Sequence, residues 1–272
     1  MLPGCRGEPD IVTRMPELVR IERHDAVAVL RLDRPKVNAL NLELISQLDG
    51  ACAQVEGDDS VRAAVVYGGE RTFSAGADLK EMAEGTPDDV RSRVGALQRV
   101  CDRIEALELV TIAAVNGYAL GGGCEIALAC DFRIASSGAR LGQPEIVVGL
   151  IPGAGGTQRL PRLIGPARAK ALIYTGDFVD AKVADGIGLV DAVADGDAIE
   201  LALEWAQRFA SGPTKSLAAA KRAIQRGLSS GLRRGLDDEL DDFVGLFSTQ
   251  DTRHGLESFA EHGPGKATFE GR

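Results

Sequence analysis

No uninterrupted apolar run in this chain approaches the ~20 residues that a membrane-spanning helix needs, so no such helix is expected. The opening residues, MLPGCRGEPDIVTRMPE, lack the apolar core of a signal peptide. Their Pro and Gly content predicts a flexible extension over residues 1–16. Paired cysteine spacing is missing as well. Cys5, Cys52, Cys101, Cys124 and Cys130 are an odd set, three of them in apolar or helical runs. Reduced thiols in a cytoplasmic protein are therefore expected. Histidine is scarce, and His24, His254 and His262 have no metal-ligand spacing, so no metal site is expected. Positive charge is in deficit, with 31 Lys and Arg against 40 Asp and Glu and a net charge of −9. That balance argues against nucleic acid or an anionic membrane as a partner, and a polyanionic ligand would need local positive charge. Repeats and low-complexity tracts are absent from the residues themselves.

What is present describes a globular chain. The 272 residues are 44% hydrophobic and 26% charged, enough for a substantial core in one or two domains. The spacing predicts a hairpin of Leu18–Arg23 and Ala26–Leu32 around His24-Asp25, a helix over Leu42–Val55 and a strand over Val61–Tyr67. A polar amphipathic helix follows over Pro87–Leu107, then a strand over Val110–Asn116 and a helix over Cys124–Ala129. Phe132–Ala135 and Arg140–Leu141 read as further strands. This alternation argues for an α/β core with parallel pairing. Beyond Asp197 only helices are predicted, over Ala198–Ala210, Pro213–Gly227 and Gly235–Thr249, with Gly212-Pro213 as a break.

Three segments carry chemistry. NGYALGGGCEIALAC, Asn116 to Cys130, ends a strand with Gly121, Gly122 and Gly123 and opens an apolar helix whose first turn holds Glu125. Glycine admits close approach to the backbone, and a helix N-terminus offers unpaired N–H groups and partial positive charge. Together they suit a developing oxyanion. The competing reading is a tight packed turn with Glu125 placed there by the helix dipole. FSAGADLKEM, Phe73 to Met82, repeats the pattern of small residues where a helix begins. LGQPEIVVGLIPGAGGTQRL, Leu141 to Leu160, isolates Glu145 in a nearly uncharged run. Buried carboxylates are costly. Either they do chemistry, or each is satisfied by backbone donors or by an arginine such as Arg133 or Arg159.

These segments, with the Asp33–Leu40 run DRP-x-VNAL, resemble the crotonase family over about Leu18 to Arg272, and enoyl-CoA hydratases most of all. The resemblance implies a spiral of repeated β-β-α units and a C-terminal helical region used for trimerisation. It divides the chain into residues 1–16, a core of 17–196 with the catalytic site, and an oligomerisation region of 197–272. It implies reversible addition of water to 2-trans-enoyl-CoA, giving 3-hydroxyacyl-CoA, as in fatty-acid β-oxidation. It assigns the acid–base pair to Glu125 and Glu145 and the two oxyanion N–H donors to Ala77 and Gly122. It places Ala75, Asp78, Leu79, Lys80 and Gly121 against the CoA thioester, with a solvent-facing charge as the competing role for Lys80. No cofactor is implied beyond the CoA of the substrate, and the expected assembly is a homotrimer or a hexamer. An enoyl-CoA isomerase and a catalytically silent acyl-CoA-binding protein are the alternatives. Relatives commonly carry a basic Glu-Lys-Arg-type segment near the C-terminus, where this chain has Glu261-His262-Gly263-Pro264-Gly265-Lys266; Lys266 is the candidate replacement.

Other motifs point away from competing classes. Gly227-Leu228-Ser229-Ser230-Gly231 fits G-x-S-x-G, but helical residues precede it, so a helix C-terminus is predicted instead of a nucleophile elbow. Gly153-Ala154-Gly155-Gly156 lacks the lysine of a phosphate-binding P-loop. The run Asp237–Asp242 reads as a solvated helix face.

Overall fold

The computed structural model describes residues 16–271; the extension expected over 1–16 and Cys5 fall almost wholly outside them. The chain opens with an antiparallel hairpin, β1 (Val19–His24) and β2 (Val27–Leu32), turned at Asp25 with φ 54°. Helix α1 (Leu42–Glu56) follows, capped by Asn41, whose side chain accepts from Leu44 N. Strand β3 (Ala63–Tyr67) pairs in parallel with β2. Helices α2 (Leu79–Glu84) and α3 (Pro87–Ala106) come next, the second started by a Thr86–Asp89 capping box. Strands β4 (Val110–Val115) and β5 (Tyr118–Leu120), helix α4 (Gly122–Ala129), and strands β6 (Phe132–Ser136) and β7 (Arg140–Gly142) complete the central stretch.

After a 3₁₀ turn at Pro144–Val148 run α5 (Gly156–Ile164), α6 (Pro166–Thr175), β8 (Phe178–Asp180), α7 (Ala181–Gly186) and β9 (Ala192–Ala194). The main sheet has the order β1-β2-β3-β4-β6-β9, parallel after the hairpin, and β5-β7-β8 form a second, smaller sheet. The hairpin gives both of its strands to the main sheet, while the pairs β4-β5 and β6-β7 each give one strand to each sheet, which winds the chain into a spiral. Strand β3 is buried at all of its positions, and β2 at all but Arg31, as expected of strands covered on both faces. One core lies between the sheets and helices α1, α3 and α4, whose eight residues are all buried.

The other face of the main sheet is covered by α8 (Ala198–Ala210), which presents Ala198, Ala202, Ala206 and Ala210 at helical spacing. These small side chains let the helix lie close to the strands. Asn116 locks it there, donating to Asp197 Oδ1 at 2.6 Å and accepting from Ala198 N at 3.1 Å. Helix α8 thus packs with the spiral, and the helices that leave it are α9 (Thr214–Ser230), α10 (Leu232–Gly245) and α11 (Gln250–His262). Serines 229 and 230 sit in the last turn of α9, their hydroxyls donating to Arg226 O, so G-x-S-x-G marks a helix end. The helix expected over Gly235–Thr249 begins at Leu232 and ends at Gly245 in a short 3₁₀ turn, and α11 lies beyond it. Within the acidic run Asp242 departs from a solvated face: it turns toward α9 and pairs with Arg222 at 3.0 Å.

Candidate active site

The site begins with Leu40. Its N–H donates to Gly76 O and its C=O accepts from Asp78 N, at 2.8 and 3.1 Å. In such a parallel bridge the residue between, Ala77, points its own N–H away from Leu40. Asn38 steadies this turn by donating to Gly68 O and Phe73 O, and buried Ser74 donates to Asn38 O. The VNAL segment is therefore the brace of the Phe73–Ala77 loop.

The triple glycine lies directly across from it. Gly121 has φ 52° and ψ −124°, a conformation open to glycine. A Cβ on Gly123 would meet Ser74 O at 2.5 Å, and one on Gly122 would meet Leu97 Cδ2 at 2.9 Å. The same position on Gly122 lies 3.9 Å from Ala77 N, so the two peptide N–H groups are neighbours. Gly122 is the first residue of α4, where N–H groups have no intrahelical acceptor, and neither N–H has an acceptor among the described residues. The pair opens on a cavity of about 450 Å³, within the usual range of small-molecule sites. Its lining is mostly apolar.

Both glutamates line this cavity. Glu125 is 2% exposed, and its Oε1 accepts from Ala154 N at 2.6 Å and from Gly156 N at 2.8 Å. Gly156 begins α5, so a carboxylate sits where helix N-termini favour an anion. The glycine-rich loop that is not a phosphate loop thus grips a carboxylate by the same physics. Burial pushes the Glu125 pKa above the usual carboxylate range, while the Gly156 and Ala154 donors and the Arg159 charge pull it back. Glu145 follows the first residue of the 3₁₀ turn and is half-buried. Burial first, and then the charge of Glu125, push Glu145 up to about 7, against a smaller opposing effect of its own backbone N–H. Its Oε1 lies 2.9 Å from where a Gly121 Cβ would be, so glycine there leaves the carboxyl its room. The amide of buried Gln143 is assigned with its nitrogen toward Glu145, the orientation in which it can donate to the two oxygens at 3.1 and 3.3 Å.

The arginines considered as partners serve elsewhere. Arg133 pairs with Asp191 at 2.8 Å and donates to Leu189 O. Arg159 pairs with Asp102 and Glu105 and reaches Glu125 through its field alone. Of the residues expected against the thioester, Ala75, Leu79 and Gly121 line the cavity. Asp78 and Lys80 stand outside that lining. Asp78 caps α2 and pairs with Arg34 at 2.8 Å; burial opposes its charge, but that partner and the Glu81 and Lys80 N–H groups hold its pKa below the usual range. Lys80 is exposed in the first turn of α2. The residues that sequence reasoning passed over are Ala154 and Gly156, which act through backbone N–H groups, and the amide of Gln143. The GAGG run before a helix was the available signal for the first two.

Two sheets wound as a spiral, with paired carboxylates beside two free N–H groups, define a site for charge developing on a carbonyl oxygen. Comparison with known proteins places it. The enoyl-CoA hydratase/isomerase family matches residues 22–272. The short-chain-enoyl-CoA hydratase of Clostridium acetobutylicum is 43% identical over 247 residues, covering 89% of this chain and 94% of that protein. The crotonyl-CoA hydratase of Syntrophomonas wolfei is 42% identical, covering 90% and 95%. The crystal structure of an enoyl-CoA hydratase from Bacillus anthracis superposes with a TM-score of 0.89 at 39% identity, over 94% of this chain and all of that one. The chain belongs to the enoyl-CoA hydratase/isomerase family and has the crotonase fold.

Proposed function

We propose that this enzyme adds water reversibly across the double bond of 2-trans-enoyl-CoA thioesters. The observation that carries the reading is the meeting, on one cavity, of two carboxylates and two acceptor-less N–H groups. The thioester oxygen sits between Ala77 N–H and Gly122 N–H, which stabilise the enolate-like charge as water attacks. Losing one such donor costs about 3 kcal/mol of barrier. Glu125, ionised between two backbone donors, takes a proton from water as it adds to Cβ. Glu145, whose proton is held to about 7, gives one to Cα. After the product leaves, Glu125 returns its proton to Glu145 through the next water to enter, which restores both groups, and the reaction calls for no metal or redox group. The acyl and thioester end occupies the cavity and leaves the nucleotide of CoA at the surface, with Lys80 and Lys266 as candidate charges for its phosphates.

The proposed setting is a cytoplasmic homotrimer or hexamer. Supporting this, α10 and the turn after it leave Leu240, Phe243, Val244 and Phe247 each more than half exposed in a single chain. No helix among the described residues is long and apolar enough to cross a membrane. The test is incubation with crotonyl-CoA and identification of the product. 3-Hydroxybutyryl-CoA is expected. Migration of a double bond in 3-enoyl-CoA at a greater rate than hydration would favour the isomerase, and binding without turnover the silent protein.

A further inference from the structure

Both peptide units that donate to Glu125 are themselves held at their carbonyl ends. The 155–156 unit is held by the helix it begins, since Gly155 O accepts from Gln158 N at 2.9 Å and Arg159 N at 2.7 Å. The 153–154 unit has no such backbone anchor. Its carbonyl, Gly153 O, accepts from Gln98 Nε2 at 2.7 Å, the one donor to it among the described residues. Its N–H is the one that donates to Glu125 at 2.6 Å. A trans peptide sets its C=O and N–H on opposite sides, so Gln98, the peptide and the Glu125 carboxylate form one chain of hydrogen bonds. Each bond in such a chain polarises the next; the Ala154–Glu125 end is buried and weakly screened, while the Gln98 end is exposed.

We propose that Gln98 is a positioning residue for Glu125, acting through the peptide between Gly153 and Ala154. It stands on α3, the helix that also walls the cavity with Val90, Val94 and Leu97. Those three share one face at helical spacing, and Gln98 follows Leu97 at the edge of that face. Val94 touches the same peptide from the cavity side: a Cβ on Gly153 would lie 3.0 Å from Val94 Cγ1. An acyl chain that displaces Val94 therefore presses on the unit that holds the base. Helix α3 senses the acyl group and sets the orientation of Glu125 with the same two side chains. The inference rests on the reading of Glu125 as the base in hydration.

Gln98→Met keeps the length of the side chain and removes the donor; Gln98→Lys keeps a donor. Gln98 is exposed, so both variants are expected to fold and melt as wild type does. Gln98→Met should lower kcat for crotonyl-CoA hydration roughly three- to tenfold, the size of one modest hydrogen bond, with KM little changed. It should also move the acid limb of the kcat profile to higher pH. The Ala154 donor that opposes the effect of burial on Glu125 is weakened, so the base takes up its proton sooner. Gln98→Lys should restore both kcat and the limb. An unmoved acid limb in Gln98→Met, or a loss that appears in KM or melting temperature alone, overturns the inference. Glu125→Gln in parallel separates the two levels of the argument. If that variant is inactive and Gln98→Met is unaltered, the inference alone fails; if Glu125→Gln still hydrates normally, the base assignment falls and the inference with it.

Discussion

In the proposed reaction Glu145 is the proton donor, because its surroundings make the charged form expensive. Its proton is bound more tightly in the fold, to about 7, than in an unfolded chain, where the usual value is about 4.3. Its contribution to stability is thus fully present at pH below the unfolded value and is lost as pH rises through about 7. Glu145→Gln should therefore melt at a higher temperature than wild type at pH 8, and show no such gain near pH 4; an equal shift at both would contradict the burial argument. The same variant should remove an alkaline limb from the hydration profile at or above about 7, an apparent value that belongs to the pair with Glu125. Gly123 makes the complementary case for space. A Cβ there meets Ser74 O at 2.5 Å and Ser74 Cβ at 2.7 Å, so Gly123→Ala should lower both the melting temperature and kcat by parting α4 from the Ala77 loop. Glu125 and the glycines were legible in the sequence because residue type itself announces them. The grip of Ala154 and Gly156 on Glu125 was signalled only by the GAGG run before a helix, since a backbone N–H acts through the placement of its peptide and not through its side chain.

Length alone did not decide which elements were legible: the three-residue β7 was expected, whereas α5, α6 and α11, of nine, ten and thirteen residues, were not. The long amphipathic α1 and α3 and the apolar β3 and β4 follow from period and capping, and differ from expectation by one or two residues at their ends. Strands β5, β8 and β9 have three residues each, too few to display a period of two. Helix α11 did have a signal, Thr249 at its N-cap accepting from Thr252 N, hidden by the apolar spacing that seemed to carry α10 onward. Of all elements, α2 and α3 bear most directly on substrate choice. Met82, Val90 and Val94 help to wall the cavity, and the segment Glu81–Val100 should set acyl length with a preference for short to medium chains. Val94→Ala should shift relative kcat/KM toward longer enoyl-CoAs across a graded series, and exchange of the whole segment with that of a long-chain relative should shift it further. An unchanged profile in the exchange would locate the length selection in another wall.

The whole molecule exposes more apolar surface at its C-terminal end than a lone chain explains. Leu228 and Leu232 are 69% and 78% exposed, and the Phe243–Phe247 pair stands edge-on at 5.6 Å between ring centres, open to solvent. Patches of this kind mark interaction surfaces, and burying them contributes roughly 25 cal/mol per Å² before the costs of association. Light scattering is expected to give a trimer or hexamer at micromolar concentration, and truncation after Gly235 to cause aggregation or loss of activity; a stable, active monomer would remove the assembly from the account. The central claim is that two glutamates on one cavity act as a unit. It is tested most directly by measuring crotonyl-CoA hydration and crotonyl-CoA binding side by side in Glu125→Gln and Glu145→Gln. Each variant should bind the thioester and lose at least about a hundredfold in hydration rate, the low end for one acid–base group. Turnover near that of wild type in either folded variant would contradict it.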